Sequence, residues 1–275
     1  RQRPSQMSNF SRRGLLTGGL CVATLGLNAC AIGRENRLGN HKGRIEWQRL
    51  GKGRPPIILV HGLGDDIKTW RSILKPLSTL SEAAAFNRPG YGQSAWEGIP
   101  RDAKTISDEI RFILHEAGYT SPVILAGHSL GGVYAQVYAR RFPSEVAGLV
   151  LIDTTVPGQT ALIRRLMPVQ FAALPALLMQ EPAATRREFE RAEASENLIP
   201  SLPPYRNGPV EILAATRGDI LSTAQYLDAR REIMRTLAAQ YAGNFHLIDS
   251  GHFIHQDNPS AVVDAIKRVL SAVKV

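Results

Sequence analysis

Val123-Ile124-Leu125-Ala126-Gly127-His128-Ser129-Leu130-Gly131-Gly132 decides the fold. The apolar run 123–126 has strand character, and 133–141 reads as a helix. Between them, Gly127, Ser129 and Gly131 spell G-x-S-x-G. Strand, tight turn, helix is the context that gives this short pattern meaning, because it holds a serine at the tip of a sharp, strained turn. Any residue bulkier than glycine at 127 or 131 would crowd that turn. The helix start behind Ser129 offers free N–H groups to an anion forming in front of it. G-x-S-x-G alone occurs often by chance, so the rest of the chain has to support it.

Upstream, 44–50 alternates as an edge strand does, and Ile57-Ile58-Leu59-Val60 is a short run suited to burial on both faces. That run ends in His61-Gly62-Leu63-Gly64. A helix is expected over 69–80, a weak strand over 83–86 and a Pro- and Gly-containing loop over 87–94. The next helix, 102–117, carries Ile106, Ile110, Ile113 and Leu114 on one face. Downstream, 148–152 is another buried strand, closed by Asp153. From 154 to 207 the rhythm stops: 161–179 is leucine-rich and interrupted by Pro168 and Pro175, 184–196 is a charged helix, and 200–204 is a Pro-rich return. Strands at 210–214 and 245–248 and helices at 223–241 and 259–273 resume it. Alternating strands and helices imply an α/β fold, with a mostly parallel central sheet and helices on both faces.

The 275 residues fit one large α/β domain or two small ones, and suffice to bury a sizeable core. The formal charge is +9, but four arginines (Arg1, Arg3, Arg12, Arg13) precede Cys30 in a stretch without acids. Setting them aside lowers the surplus to five, which describes a solvated surface better than a nucleic-acid site. The two cysteines, Cys21 and Cys30, both lie near the N-terminus, so the body has neither a disulfide nor a cysteine metal site. The seven histidines show no H-E-x-x-H or similar spacing, and neither metal nor cofactor is expected. Residues 1–30 read as an export signal: Arg12-Arg13 resembles the twin-arginine type, an apolar stretch follows, and Leu27-Asn28-Ala29-Cys30 looks like a bacterial lipobox. The chain is therefore expected in the periplasm or cell envelope. It would touch a membrane only through a lipid on Cys30 or an uncleaved signal. Residues 31–42 read as a linker.

With these pieces in order, 43–275 resembles the α/β-hydrolase family. His61-Gly62 after a buried strand resembles the family's oxyanion segment. Asn87-Arg88-Pro89-Gly90-Tyr91-Gly92-Gln93-Ser94 resembles its D-R-P-G-Y-G-x-S loop, with Asn87 in place of Asp. Gly127–Gly132 matches the turn carrying the nucleophile. Ser250-Gly251-His252-Phe253 followed by Pro259 resembles the loop that carries the family's catalytic histidine. The resemblance implies a helical cap over 154–208, inserted after the sixth strand. It also implies a serine hydrolase cleaving carboxylic esters through an acyl-enzyme. Cleavage of a C–C bond, or cofactor-free perhydrolysis, would use the same residues. A slow-turnover binding or receptor protein is a reading from another class.

The residues support those roles independently. A serine hydroxyl needs a neighbouring base at neutral pH, and histidine has the suitable free pKa. His252 follows a predicted strand, in a loop opened by Gly251, where α/β sheets place functional residues. His255 is the second choice as base. His128, adjacent to Ser129, is expected to pack, and His61 to shape the oxyanion loop. The base needs a carboxylate to fix its tautomer. Asp219 is the first choice for it, since it follows the strand that carries the acid most often in the family, and Asp153 is the alternative. Asp249 is too close in sequence to His252 to reach it easily. Backbone N–H groups of Leu63 and Leu130 are expected to hold the oxyanion. In the cap, Leu162, Ile163, Leu166, Met167, Phe171, Leu174, Leu177, Leu178 and Met179 are candidates to line a pocket for an apolar, small-molecule ester.

Overall fold

Two three-residue strands, β1 (Asn36–Leu38) and β2 (His41–Gly43), pair antiparallel with each other where the sequence reads as linker. The next seven strands form the main sheet of this computed structural model: β3 (Trp47–Leu50), β4 (Ile57–Val60), β5 (Ala83–Phe86), β6 (Val123–His128), β7 (Val146–Ile152), β8 (Val210–Ala215) and β9 (Asn244–Ile248). Residues 36–38, 41–96, 98–218 and 222–273 are described. The export signal at 1–30, with Cys30, and Asp219 lie outside them. Across the main sheet the order is β3-β5-β4-β6-β7-β8-β9. β3 runs antiparallel to β5, and every other neighbouring pair is parallel.

All residues of β4, β5, β6 and β8 are buried, because helices cover both faces of the sheet. The period-2 alternation sorts their side chains. Ile58, Val60, Leu125, Leu149 and Ile212 join one core, and Ile57, Leu59, Ile124, Val150 and Leu213 join the other. Burying each such side chain contributes roughly 1.5–3 kcal/mol. On the first face lie α2 (Ala103–Glu116) and α3 (Leu130–Arg141). α1 (Arg71–Ser78) packs against the second face. Asp102 caps α2 by accepting from the Thr105 N–H, and Ile106, Ile110, Ile113 and Leu114 are its buried stripe, as the sequence predicts.

The insertion follows β7, the fifth strand of this sheet in chain order. The sixth-strand count is one too high here because a single strand, β3, precedes β4 in the sheet. The insertion holds α4 (Gln159–Leu166), α5 (Pro168–Leu177), α6 (Ala183–Glu190) and α7 (Ala192–Leu198). Pro168 starts α5, which separates two helices inside the leucine-rich stretch. Beyond the insertion, α8 (Ala224–Tyr241) packs on the first core, while α9 (Ile254–Asp257) and α10 (Pro259–Ala272) pack on the second.

The cap is locked to the body by charge. Glu188 on α6 is fully buried and accepts from Arg88 Nη2 at 2.7 Å, Arg101 Nη2 at 2.9 Å and Tyr91 Oη at 2.9 Å. Arg101 also binds Glu109 on α2 at 2.6 Å. Burial alone would raise the Glu188 carboxyl, but the two guanidiniums overcome it and bring the pKa down to about 2.

Candidate active site

Ser129 sits between β6 and α3 with φ 52° and ψ −125°. This conformation costs a non-glycine residue about 1–3 kcal/mol, so the surroundings must impose it. They do so through the backbone. Ser129 N donates to Ile152 O at 3.1 Å, and Ser129 O accepts from Gly132 N at 3.0 Å and Thr155 N at 3.1 Å. The flanking glycines are required by space. A Cβ on Gly131 would lie 2.3 Å from the Val60 and His61 carbonyl oxygens, and one on Gly127 would lie 2.7 Å from Gly131 O.

Asp153, directly after β7, is a second non-glycine residue with positive φ, 44°. Its backbone N–H donates to Leu213 O at 2.8 Å. Its Oδ1 accepts from the Ala215 N–H at 2.8 Å and from Arg230 Nη1 at 2.9 Å. Its Oδ2 lies 2.6 Å from Nδ1 of His252. Burial pushes the Asp153 carboxyl up, but the Arg230 charge and the His252 contact outweigh burial and hold it far below the usual carboxylate range. Asp153 is therefore a buried carboxylate, and it orients His252 Nδ1–H toward itself. Ser129, Asp153 and His252 line one pocket of about 140 Å³.

The carboxylate beside His252 thus comes from β7, the position that the sequence reading set second. Asp219, the first choice, lies outside the described residues. Asp249 is 85% exposed at its side chain and pairs with Arg217, in keeping with a surface turn. Arg230, which the sequence reading did not single out, is 5% exposed and holds Asp153 in place. A signal for it exists. Tyr226, Arg230, Met234, Leu237 and Tyr241 are the buried face of α8, so an arginine occupies an apolar position of an amphipathic helix.

The His61-Gly62-Leu63 segment lies against the serine. A Cβ on Gly62 would meet Ser129 Cβ at 3.2 Å. Arg88 Nη2 donates to Gly62 O at 3.1 Å, and His61 Nδ1 is 2.9 Å from the same oxygen. In a trans peptide the C=O and the next N–H point opposite ways, so the Leu63 N–H points away from Arg88. Leu130 opens α3, where backbone N–H groups have no intrahelical acceptor. Burial and the Arg88 charge push His61 well below its ordinary range, so it remains a neutral structural residue.

His128 and His255 are buried behind His252. Nε2 of His128 donates to His252 O at 3.0 Å, and His255 Nε2 contacts Thr69 Oγ1 at 2.7 Å. Burial and neighbouring imidazoles lower both pKa values, that of His255 to about 3. His255 faces Thr69 and the second core, which leaves His252 as the histidine on the pocket.

The cap's apolar residues differ from expectation. Leu162 and Met167 are buried against Tyr226, with Ile163 and Leu166 packed around them. None of the nine candidates is among the residues lining the Ser129 pocket. α5 has no buried residue, and Val169, Leu177 and Met179 are 79%, 64% and 68% exposed. The physical reason is that α4 packs on α8, whereas the chain bends by 113° between α4 and α5. A larger cavity, about 650 Å³, opens near Pro55, Pro122, Val146 and Pro209 at the opposite ends of the strands, away from these side chains.

A family model described as the alpha/beta hydrolase family matches residues 57–265. Among curated relatives, a (lyso)-N-acylphosphatidylethanolamine lipase of Bos taurus is 33% identical over 105 residues, covering 37% of this chain and 31% of that protein. The dihydrolipoyllysine-residue acetyltransferase component of the acetoin cleaving system of Pseudomonas putida is 30% identical over 173 residues, covering 58% and 46%. The chain thus spans less than half the length of these relatives. Among solved structures, an enol-lactonase from Burkholderia xenovorans LB400 superposes with a TM-score of 0.63 at 16% identity, covering 83% of this chain and 97% of that one. A thermophilic esterase from Thermogutta terrifontis gives 0.57 at 20% identity, covering 83% and 93%. At these identities the structures share the fold.

Proposed function

The chain belongs to the alpha/beta hydrolase family, and we propose that it is a serine hydrolase cleaving small carboxylic esters through an acyl-enzyme. The observation that carries this reading is the 2.6 Å contact between His252 and buried Asp153 in the pocket that holds strained Ser129. With Nδ1–H committed to Asp153, the neutral ring presents an unprotonated Nε2 as the base. It takes the proton from Ser129 Oγ as that oxygen attacks the ester carbonyl. His252 returns the proton to the leaving alkoxide, and water then releases the acid by the same steps in reverse roles. Asp153 stabilises the imidazolium without taking its proton. The Leu63 and Leu130 N–H groups hold the oxyanion, and such donors contribute on the order of 3 kcal/mol each.

A pocket of about 140 Å³, walled by Tyr226 and Leu227, suits a short acyl group. The export signal and a lipidated Cys30 would station the enzyme at the cell envelope. A fluorophosphonate probe tests the mechanism: labelling at Ser129 is expected, and it should vanish in His252→Ala. A p-nitrophenyl ester series from acetate to octanoate should then give the highest kcat/KM at the short end. No labelling of protein with an intact circular dichroism spectrum would overturn the reading.

A further inference from the structure

Behind the catalytic face, one half-buried and two buried polar side chains converge without satisfying one another. Asp65 Oδ2, His128 Nδ1 and His255 Nδ1 are each buried and have no hydrogen-bond partner. Each of these residues offers one ligand atom, and the three ligand atoms lie within 4.8 Å of one another. The two histidines are 1% and 0% exposed. Native proteins seldom leave such atoms orphaned, and three in one place call for an occupant.

We propose that Asp65, His128 and His255 form a binding site for a divalent transition-metal ion of the zinc, cobalt or nickel type. The tautomers favour this. Nε2 of His128 faces a carbonyl oxygen, which can only accept, so Nε2 carries the proton and Nδ1 presents a lone pair. His255 Nε2 can donate to Thr69 Oγ1 in the same way, which frees its Nδ1. Thr69 Oγ1 is itself held by Gln256 Nε2 at 2.8 Å. Each imidazole therefore has an outer partner fixing its ring, the arrangement that metal-ligating histidines use. The histidine ring centroids are 4.6 Å apart, and Trp70 backs His255 at 4.5 Å. Asp65 Oδ1 is anchored by the Asp66 N–H at 3.0 Å, which leaves Oδ2 to complete the set. Two imidazoles and one carboxylate suit zinc, cobalt or nickel better than calcium or magnesium, which prefer all-oxygen shells. Closing the triangle to metal–ligand distances of about 2.0–2.2 Å takes side-chain shifts below about 1 Å.

The test uses the full chain, free of any histidine tag and dialysed against a chelator. Titration with Co²⁺ alone is expected to saturate at one equivalent and to give visible ligand-field absorption that Zn²⁺ displaces. Asp65→Asn should weaken Co²⁺ binding at least tenfold. His255→Gln, which keeps a hydrogen-bonding group for Thr69, should abolish it, with both variants folded by circular dichroism. No cobalt absorption in the folded wild-type protein would overturn the proposal, and water or a shared proton would then fill the cluster. Absorption that survives unchanged in both folded variants would also overturn it, by placing the ion elsewhere.

Discussion

Asp153 Oδ2 lies 2.6 Å from His252 Nδ1 across 99 residues of chain, and the same carboxylate's other oxygen is held by Arg230. The carboxylate beside His252 is thus built into the end of a central strand, and the α8 arginine fixes it from the side.

If Asp153 is the acid, Asp153→Asn should lower kcat by about four orders of magnitude, as expected when the imidazole takes the wrong tautomer. Asp219→Asn should retain most activity. Steady-state hydrolysis of p-nitrophenyl acetate by the two variants decides the matter, and the opposite ranking would return the role to Asp219.

Arg230 is a positioning residue, and its removal should show in pH dependence as well as in rate. Arg230→Met leaves a buried carboxylate short of its cation, which costs about 3–5 kcal/mol of stability. The Arg230 charge helps hold the Asp153 pKa down. Without it, the carboxylate protonates at higher pH, so the acid limb of the kcat/KM profile should move upward. Arg230→Lys should restore part of both effects. An unchanged acid limb in folded Arg230→Met protein would show that Arg230 only supports the structure.

Glu196 on α7 carries the opposite pH signature from Glu188. One oxygen accepts from the Thr160 N–H at 2.8 Å, the other has no partner, and burial pushes the carboxyl up from 4.5 to about 7. Between those values the folded state holds more protons than the unfolded one. The cap should therefore lose stability as pH rises from 4.5 to 7, and the deficit should persist above 7. Glu196→Gln should stabilise the protein by about 1–2 kcal/mol at pH 8 and hardly at all at pH 4. Thermal melts at both pH values measure this, and equal shifts at the two would refute it.

The lipobox reading makes a separate prediction. Intact-mass spectrometry of protein recovered from its native envelope should show a mature chain beginning at Cys30 with a diacylglycerol. A chain cleaved elsewhere and free of lipid would rule out that anchor.

The sheet, its order of strands and helices, and the Ser129 turn were legible because each is written locally. Period-2 and period-3.6 patterns mark the elements, and the glycines mark the turn. Ser129 and His252 were legible for the same reason. The carboxylate that lies beside His252 was not, because choosing between Asp153 and Asp219 requires knowing which strand end faces His252, and no local pattern encodes that. Arg230 and Glu188 left a trace in charged residues on the buried stripes of α8 and α6, yet their partners lie 77 and 100 residues away. The Asp65–His128–His255 cluster left none. Its members come from a loop (Asp65), the end of β6 (His128) and the short helix α9 (His255), so the spacing rules for metal ligands do not apply to it.

The ion network under α6 also constrains how such a protein can be rebuilt. Glu188 arrives with the cap, while Arg88 and Arg101 belong to the body. A cap grafted from another member of the family without an acid at this point would bury two guanidiniums facing an apolar surface. Recombination between relatives must therefore carry the three residues together or replace all three. The junction between cap and body is therefore a unit of three residues, not a surface that any helical insertion can meet.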